Sequence, residues 1–371
     1  MLKRFIDAAG WPRIIIGMFL MSLFAATPFV GISVLSALSN TLERFGMNGV
    51  LVLAMVPMVQ AGCGLNFGLP LGIIAGLIGA TLSIELSPFI ISMMINVGID
   101  PYVILSSGKE ALSYPAGFCL FMTAILVAVP IAAVLGYCYG QLLNRVKGDE
   151  MMIATYAGFS IVSFMCIAWI LLPYSNPTMV WGYEGSGLRT TITVDGFWRH
   201  VLSGLWAIKI GNFTVPTGMF LFLAAMCFLV WLFMKTKTGT ALTAVGSNME
   251  FARASGININ RTRTISVVLS TILGAIGILV YQQSFGFIQL YMSPFFMAFP
   301  AVASILLGGA SVNKASIWNV VVGAFLFQGI LTMTPSVINS VLKTDMSEVI
   351  RIIVSNGMIL YALTRKAKAS R

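Results

Sequence analysis

An all-α, polytopic membrane protein of about ten transmembrane helices is predicted here, on two observations. Hydrophobic residues fill 58% of the 371 positions and charged residues only 9%, too little polar surface for a water-soluble protein of this size. Apolar runs of about 20 residues recur along the whole length, which is what a helix needs to cross a hydrocarbon core about 30 Å thick.

Ten candidate spans follow in order: residues 14–38, 49–61, 71–95, 117–143, 151–172, 213–234, 264–282, 295–307, 317–333 and 349–363. The first follows Lys3, Arg4 and Arg13 and contains Ala25-Ala26, as a cleavable signal would, but it is too long for a signal core and reads as a retained helix. The second and eighth are short for a bilayer and are expected to continue as irregular backbone. Of the 22 Lys and Arg residues, 15 fall on the side that holds both termini, which places the termini in the cytoplasm and makes residues 1–371 a single membrane domain. The opposite side holds Arg44, Lys109, Arg189, Arg199, Lys209, Lys343 and Arg351, diluted by acidic residues.

Composition also excludes function classes. The net charge of +10 is spread over short connections and tails with no aromatic-interleaved basic face, so no nucleic-acid partner is expected. Cys63, Cys119, Cys138, Cys166 and Cys227 sit in or beside apolar stretches without CxxC pairing, and His200 is the single histidine, so neither a metal site nor a cofactor is expected. There is no GxxxxGK[ST] sequence, no HExxH and no clustered catalytic set, so the chain is not expected to be an enzyme. Carboxylates are nearly absent from the spans. Glu85 lies near the outer end of the third and Glu348 at the edge of the tenth, which disfavours a proton-coupled carrier.

Two connections stand out. The outside segment, 173–212, is long, and Phe197, Trp198, Val201, Leu202, Leu205 and Trp206 repeat at helical spacing within it. They predict an amphipathic helix at the outer interface, serving as a membrane anchor or a docking surface for an external partner. The cytoplasmic segment, 235–263, contains Ser247 and Glu250 at capping-box spacing and Gly256 where a left-handed residue closes a helix, predicting a short helix over 248–255. Its apolar members Met249, Phe251 and Ala252 either pack on the chain's own span ends or fit a groove on another protein.

Glycine-rich stretches interrupt one helix in each half, at 62–70 and 308–311, and mark either a translocation path or close helix packing. Amides are costly to leave unpaired inside a membrane, so Asn66 and Phe67 are expected to face Gln282, Gln283 and Phe285 beside Gly308 and Gly309 along such a path. Asn66 as a helix cap, and Gln282-Gln283 as the outer end of a span, are the structural alternatives.

In this region the sequence resembles a known family. Gly246-Ser247-Asn248, Glu250-Phe251-Ala252-Arg253 and Gly256-Ile257 are similar to the coupling loop of ATP-binding-cassette importer permeases of the ribose, simple-sugar and nucleoside branch. Leu269-Ser270, Gly274, Gly277, residues 306–311 and Gly323-Ala324 follow in that family's order, and Gly62-Cys63-Gly64-Leu65-Asn66-Phe67-Gly68 falls at its glycine-rich interruption. The resemblance implies ten helices in two halves related by an approximate inverted repeat. It further implies a second permease subunit, a cytoplasmic ATPase meeting Gly246, Asn248, Glu250, Phe251, Ala252, Arg253, Gly256 and Ile257, and an extracytoplasmic solute-binding protein. The implied solute is a simple sugar or a nucleoside. A secondary transporter or channel acting alone is the alternative.

Overall fold

Pro28 and Gly31 divide the first apolar run. The structure, a computed structural model, describes residues 11–104, 110–146, 148–180, 187–211, 213–291, 293–311, 314–342, 346 and 349–358. Helix α1 (Trp11–Ala26) stops at a 3-10 turn over Pro28–Val30, after which Gly31 takes φ +76°. Helix α2 (Val34–Leu53) then runs almost directly into α3 (Met55–Gln60), and the two form one span of 27 residues. The span expected over 14–38 therefore straddles two helices, and the short one expected over 49–61 is the far end of a full-length span. Arg44, expected in an outside connection, lies within α2 together with Glu43, so the spans are less free of charge than the sequence reading held.

The chain breaks again at Gly62 and Gly64, whose φ values of +70° and +76° suit residues without a Cβ. Helix α4 (Leu69–Glu85) follows and bends by 53° into α5 (Ser87–Asn96), so the expected span 71–95 is kinked just before Pro88. Strands β1 (Tyr102–Ile104) and β2 (Glu110–Leu112) pair antiparallel before α6 (Tyr114–Arg145), whose 32 residues extend about 48 Å and overrun the hydrocarbon core. Helix α7 (Glu150–Leu171) leads into the long segment containing β3 (Thr191–Thr193), β4 (Ile208–Ile210) and β5 (Phe213–Val215). Then come α8 (Thr217–Lys235), α9 (Lys237–Ser247), α10 (Met249–Ala254), α11 (Ile259–Phe285), β6 (Phe287–Gln289), α12 (Ser293–Leu307), α13 (Ile317–Leu342) and α14 (Val349–Met358). Among the described residues, eight full-length spans stand against the ten expected, if the bent α4–α5 pair counts as one; the expected eighth and tenth correspond to the shorter α12 and α14. Residues 1–10 and 359–371, which carry the expected cytoplasmic termini, lie outside the described residues.

Burial sorts the helices into a centre and a rim. The α2–α3 span and α11 have 78% of their apolar windows inside the protein, against 22–28% for α1, α6, α7 and α8, whose outer faces are left for lipid. Small residues bring the central backbones together. A Cβ on Gly72 would meet the Thr271 carbonyl at 2.6 Å, one on Gly76 the Ala275 carbonyl at 2.6 Å, and one on Gly136 the backbone of Val268 at 2.9 Å, so α4 and α6 sit directly against α11.

The outside segment folds differently from expectation. Residues 195–206 form successive turns in place of an amphipathic helix, and Trp198, Val201 and Leu202 are buried. The cause is Gln283 at the end of α11: its backbone carbonyl accepts from His200 N at 2.8 Å, and its side-chain oxygen accepts from Leu202 N at 3.1 Å. Backbone donors satisfied by α11 do not need helical partners. Antiparallel pairing of β3 with β6 stitches the same segment to the chain just beyond α11. Trp206, Ile208 and Ile210 stay exposed.

Two opposite faces result. The loop face carries residues 173–180 and 187–211, the end of α4 at Glu85 and the end of α11. The coupling face carries Gln60, Glu150, α9, α10 and the start of α11.

Candidate functional site

Helix α2 carries Asn40, Glu43, Arg44, Met47 and Asn48, spaced three and four residues apart and so on one face. That face lines a cavity of 1390 Å³. Helix α13 contributes Gln328, Thr332 and Ser336 at the same spacing, and α14 contributes Arg351, Ser355 and Asn356. Aromatic rings complete the wall: Tyr281 and Phe285 from α11, stacked at 5.3 Å, and Phe295, Phe296 and Phe299 from α12. Thr190, Thr191 and Gln289 close the rim, so the cavity belongs to the loop face. Toward the coupling face α2 continues as Leu51 and Leu53 and runs into α3 at Met55, all enclosed, and α13 continues as Val320, Ala324 and Phe327. The cavity thus occupies the loop-face half of the protein and is sealed at its base by packed apolar side chains.

Its charges are held by neighbours. Ser284 Oγ donates to Glu43 Oε1 at 2.7 Å, and the positive charge of Arg44 acts on the Tyr281 hydroxyl. Adjacent residues on a helix point in different directions, so Glu43 and Arg44 meet α11 separately. The cavity therefore offers a donor, an acceptor, amides and flat ring faces, which together suit a ring solute bearing hydroxyl groups.

The path residues expected from sequence are only partly brought together. Phe285 lines the cavity, and Phe67 touches its wall through Phe299, with ring centroids 6.2 Å apart. Asn66 is enclosed near the coupling face: its Nδ2 donates to Ser270 Oγ at 2.8 Å, its Oδ1 accepts from the Tyr139 hydroxyl at 3.3 Å, and Ser270 Oγ in turn donates to the Ala54 carbonyl at 2.6 Å. Twelve residues of helix separate Ser270 from Gln282, about 18 Å, so Asn66 does not face the glutamine pair. Gln282 and Gln283 are buried behind the cavity, and Gln283 holds the outside segment. Gly308 and Gly309 form the turn after α12 on the coupling face. Gly308 O accepts from Asn319 Nδ2 at 2.6 Å, and Gly309, at φ +83°, lies under the Arg13 guanidinium. Asn40, Glu43, Arg44, Asn48 and Gln328 were missed in the sequence, although their three- and four-residue spacing was available there.

The segment 235–263 holds two helices, α9 and α10, where one was expected. The cap of α10 is Asn248, whose Oδ1 accepts from Phe251 N at 3.0 Å; Ser247 belongs to the last turn of α9 and bonds back to Ala244. The expected Ser247–Glu250 capping box therefore does not form: the cap lies one residue later, and Glu250 instead pairs with Arg253 at 3.1 Å. Gly256, at φ +76°, closes α10 as expected, with Ile257 N bonding to Ala252 O at 3.0 Å. Ala252 is enclosed among Val245, Ile259, Met249 and Ile257, whereas Phe251 is 66% exposed. Gly246 is pressed onto the Gln60 carbonyl, leaving no room for a Cβ. Four residues beyond Ile259, Arg263 reaches inward, donating to Glu150 Oε1 at 2.5 Å and to Cys63 Sγ at 3.2 Å.

A family described as branched-chain amino acid transport system / permease component matches residues 13–362, nearly the whole chain. The chain belongs to this permease family. Among its relatives, the nucleoside ABC transporter permease protein NupB of Lactococcus lactis is 23% identical over 295 residues, 74% of this chain and 76% of its own length. The autoinducer 2 import system permease protein LsrC of Shigella flexneri is 24% identical over 257 residues, 64% of this chain and 70% of the relative. LsrC of Escherichia coli gives the same identity and the same coverage. A multi-pass membrane permease accounts for both halves of the geometry, a polar cavity on one face and a capped, exposed helix on the other.

Proposed function

We propose that this permease is the translocation subunit of an ATP-binding-cassette importer that carries a simple sugar or a nucleoside inward across the cytoplasmic membrane. The carrying observation is the 1390 Å³ cavity, with amides and charges from α2 and α13 opposite the rings of α11 and α12. A hydroxylated sugar matches the first wall and a heterocycle or sugar face the second. Nucleoside and autoinducer 2 transport by the relatives supports the same solute class.

In this reading a second permease subunit completes the membrane unit, an extracytoplasmic binding protein delivers solute to the loop face, and a cytoplasmic ATPase docks on α10 at the coupling face. Phe251 is the side chain offered to that ATPase; Asn248, Glu250, Arg253 and Gly256 shape the helix, and Ala252 and Ile257 anchor it. Both termini lie in the cytoplasm. Among the originally expected path residues, Phe285 and Phe67 stay on the path, and Glu43, Arg44, Asn48 and Gln328 join it.

Glu43 favours one second reading, a carrier acting alone, because a carboxylate inside a membrane cavity is what proton coupling requires. Proteoliposomes separate the two. The chain reconstituted with its ATPase and binding protein should take up labelled uridine or ribose only with ATP inside. Glu43→Gln and Arg44→Ala should each lower uptake about tenfold or more with ATP hydrolysis retained, as for loss of a charge-assisted hydrogen bond to solute. Uptake by the isolated chain driven by a proton gradient would establish the carrier instead.

A further inference from the structure

Gln60, the last residue of α3, sits where three separate parts of the coupling face converge. Its Nε2 donates to the Ala315 carbonyl at 2.5 Å, in the connection that follows the Gly308–Gly309 turn and leads into α13. Its Oε1 accepts from Thr243 Oγ1 of α9 at 3.3 Å. Its own carbonyl lies against Gly246 at the end of α9, and Gly246 also abuts Gly62, so that a Cβ on Gly62 would meet the Gly246 backbone at 3.0 Å. One side chain therefore bonds α9 to the α12–α13 connection, and one backbone contact presses α9 onto the first helix break.

We infer that Gln60 is a positioning residue through which the segment carrying α9 and α10 holds the coupling-face end of the cavity shut. The inference rests on the reading of the cavity as the solute path. The span that ends at Gln60 lines the cavity's polar wall from Asn40 to Asn48, and α13, reached through Ala315, completes that wall at Gln328. Drawing α9 away from Gln60 breaks the bond to Thr243 and frees the Gly62 and Gly246 backbones to separate. That loosens the two helices of this wall from each other at their base. Geometry of this kind couples a displacement at α10 to the cavity floor without requiring α10 to touch it. Because hydrogen bonds of this sort contribute modestly, the closed state is held firmly but reversibly.

Impermeant maleimide labelling of the full-length protein tests this without knowledge of the solute. In a background with the five native cysteines replaced, Asn48→Cys reports on the cavity floor, in membrane vesicles of both orientations. With Gln60 present the reporter should label from the loop face and about tenfold more slowly from the coupling face. Gln60→Leu should raise coupling-face labelling about tenfold, and Thr243→Val, at an exposed position, about threefold, for two hydrogen bonds and one respectively. Retained loop-face labelling shows that the fold has survived either change. Unchanged coupling-face labelling in Gln60→Leu, with loop-face labelling intact, would overturn the assignment of Gln60 alone. A reporter that labels from neither face in the unaltered background would overturn the cavity reading, and this inference with it.

Discussion

Arg263 brings a full positive charge into the coupling-face half of the protein, with its side chain 1% exposed and Glu150 as its ion-pair partner. Removing one member of a buried pair leaves the other charge desolvated, at a cost of about 3–5 kcal/mol. Glu150→Ala is therefore expected to lower the yield and thermal stability of the purified protein sharply, and an unchanged melting temperature would show that the pair contributes little. Asn66 makes a related case with neutral groups. It bridges Tyr139 to Ser270, and Ser270 in turn bonds the Ala54 carbonyl where α2 passes into α3. Asn66→Ala leaves the enclosed Tyr139 hydroxyl without this acceptor, for which about 1–3 kcal/mol is expected. Assembled protein should fall while uptake per assembled complex stays constant; altered solute selectivity at normal yield would instead restore Asn66 to the path.

Among the elements, α10 shows how two glycines in one segment serve different physical ends. A Cβ on Gly256 meets nothing within 4 Å, so substitution there costs only the left-handed backbone, about 1–2 kcal/mol. Gly246 faces the Gln60 carbonyl and the Gly62 backbone, so any Cβ forces α9 off α3. Gly246→Ala should abolish solute-stimulated ATP hydrolysis while Gly256→Ala reduces it partially, measured on complexes assembled to the same extent; the reverse order would remove the packing role of Gly246. The short helix and its closing glycine were legible in sequence because both are set within a few residues, whereas the cap lies at Asn248 and not at the expected Ser247, and the sequence left open whether Phe251 packs inward or stays exposed. The outside segment was not: Phe197 to Trp206 have helical spacing, but Gln283, some 80 residues later, supplies the partners that turn them inward. Arg44 was misread for a similar reason, and Glu43 beside it was missed. Polar residues on a helix face look like a connection until a cavity is seen to receive them, and the cavity is built by α11 to α14 from far along the chain.

At the scale of the whole molecule, orientation decides which face meets ATP and which meets solute. With Arg44 and Arg351 relocated from connections to the cavity, the loop face keeps only Arg189, Arg199 and Lys209 among its described cations. The coupling face carries Arg13, Arg145, Lys235, Lys237, Arg253, Arg261, Arg263 and Lys314. Since Lys and Arg are retained on the cytoplasmic side during insertion, this asymmetry supports the proposed orientation, with α9 and α10 in the cytoplasm and the cavity mouth outside. It is sharper than the sequence count alone, because both relocated arginines had been assigned to the outside. Cysteines introduced one at a time, in a background lacking the five native ones, read the orientation directly in intact cells. Gly187→Cys lies on the loop face and Thr240→Cys on an exposed turn of α9. An impermeant maleimide should modify Gly187→Cys in intact cells and reach Thr240→Cys only after the membrane is opened. The opposite pattern would put α10 outside, where no ATP-driven partner could engage it, and would leave the cavity facing the cytoplasm, so that import through this permease could no longer begin at the cavity.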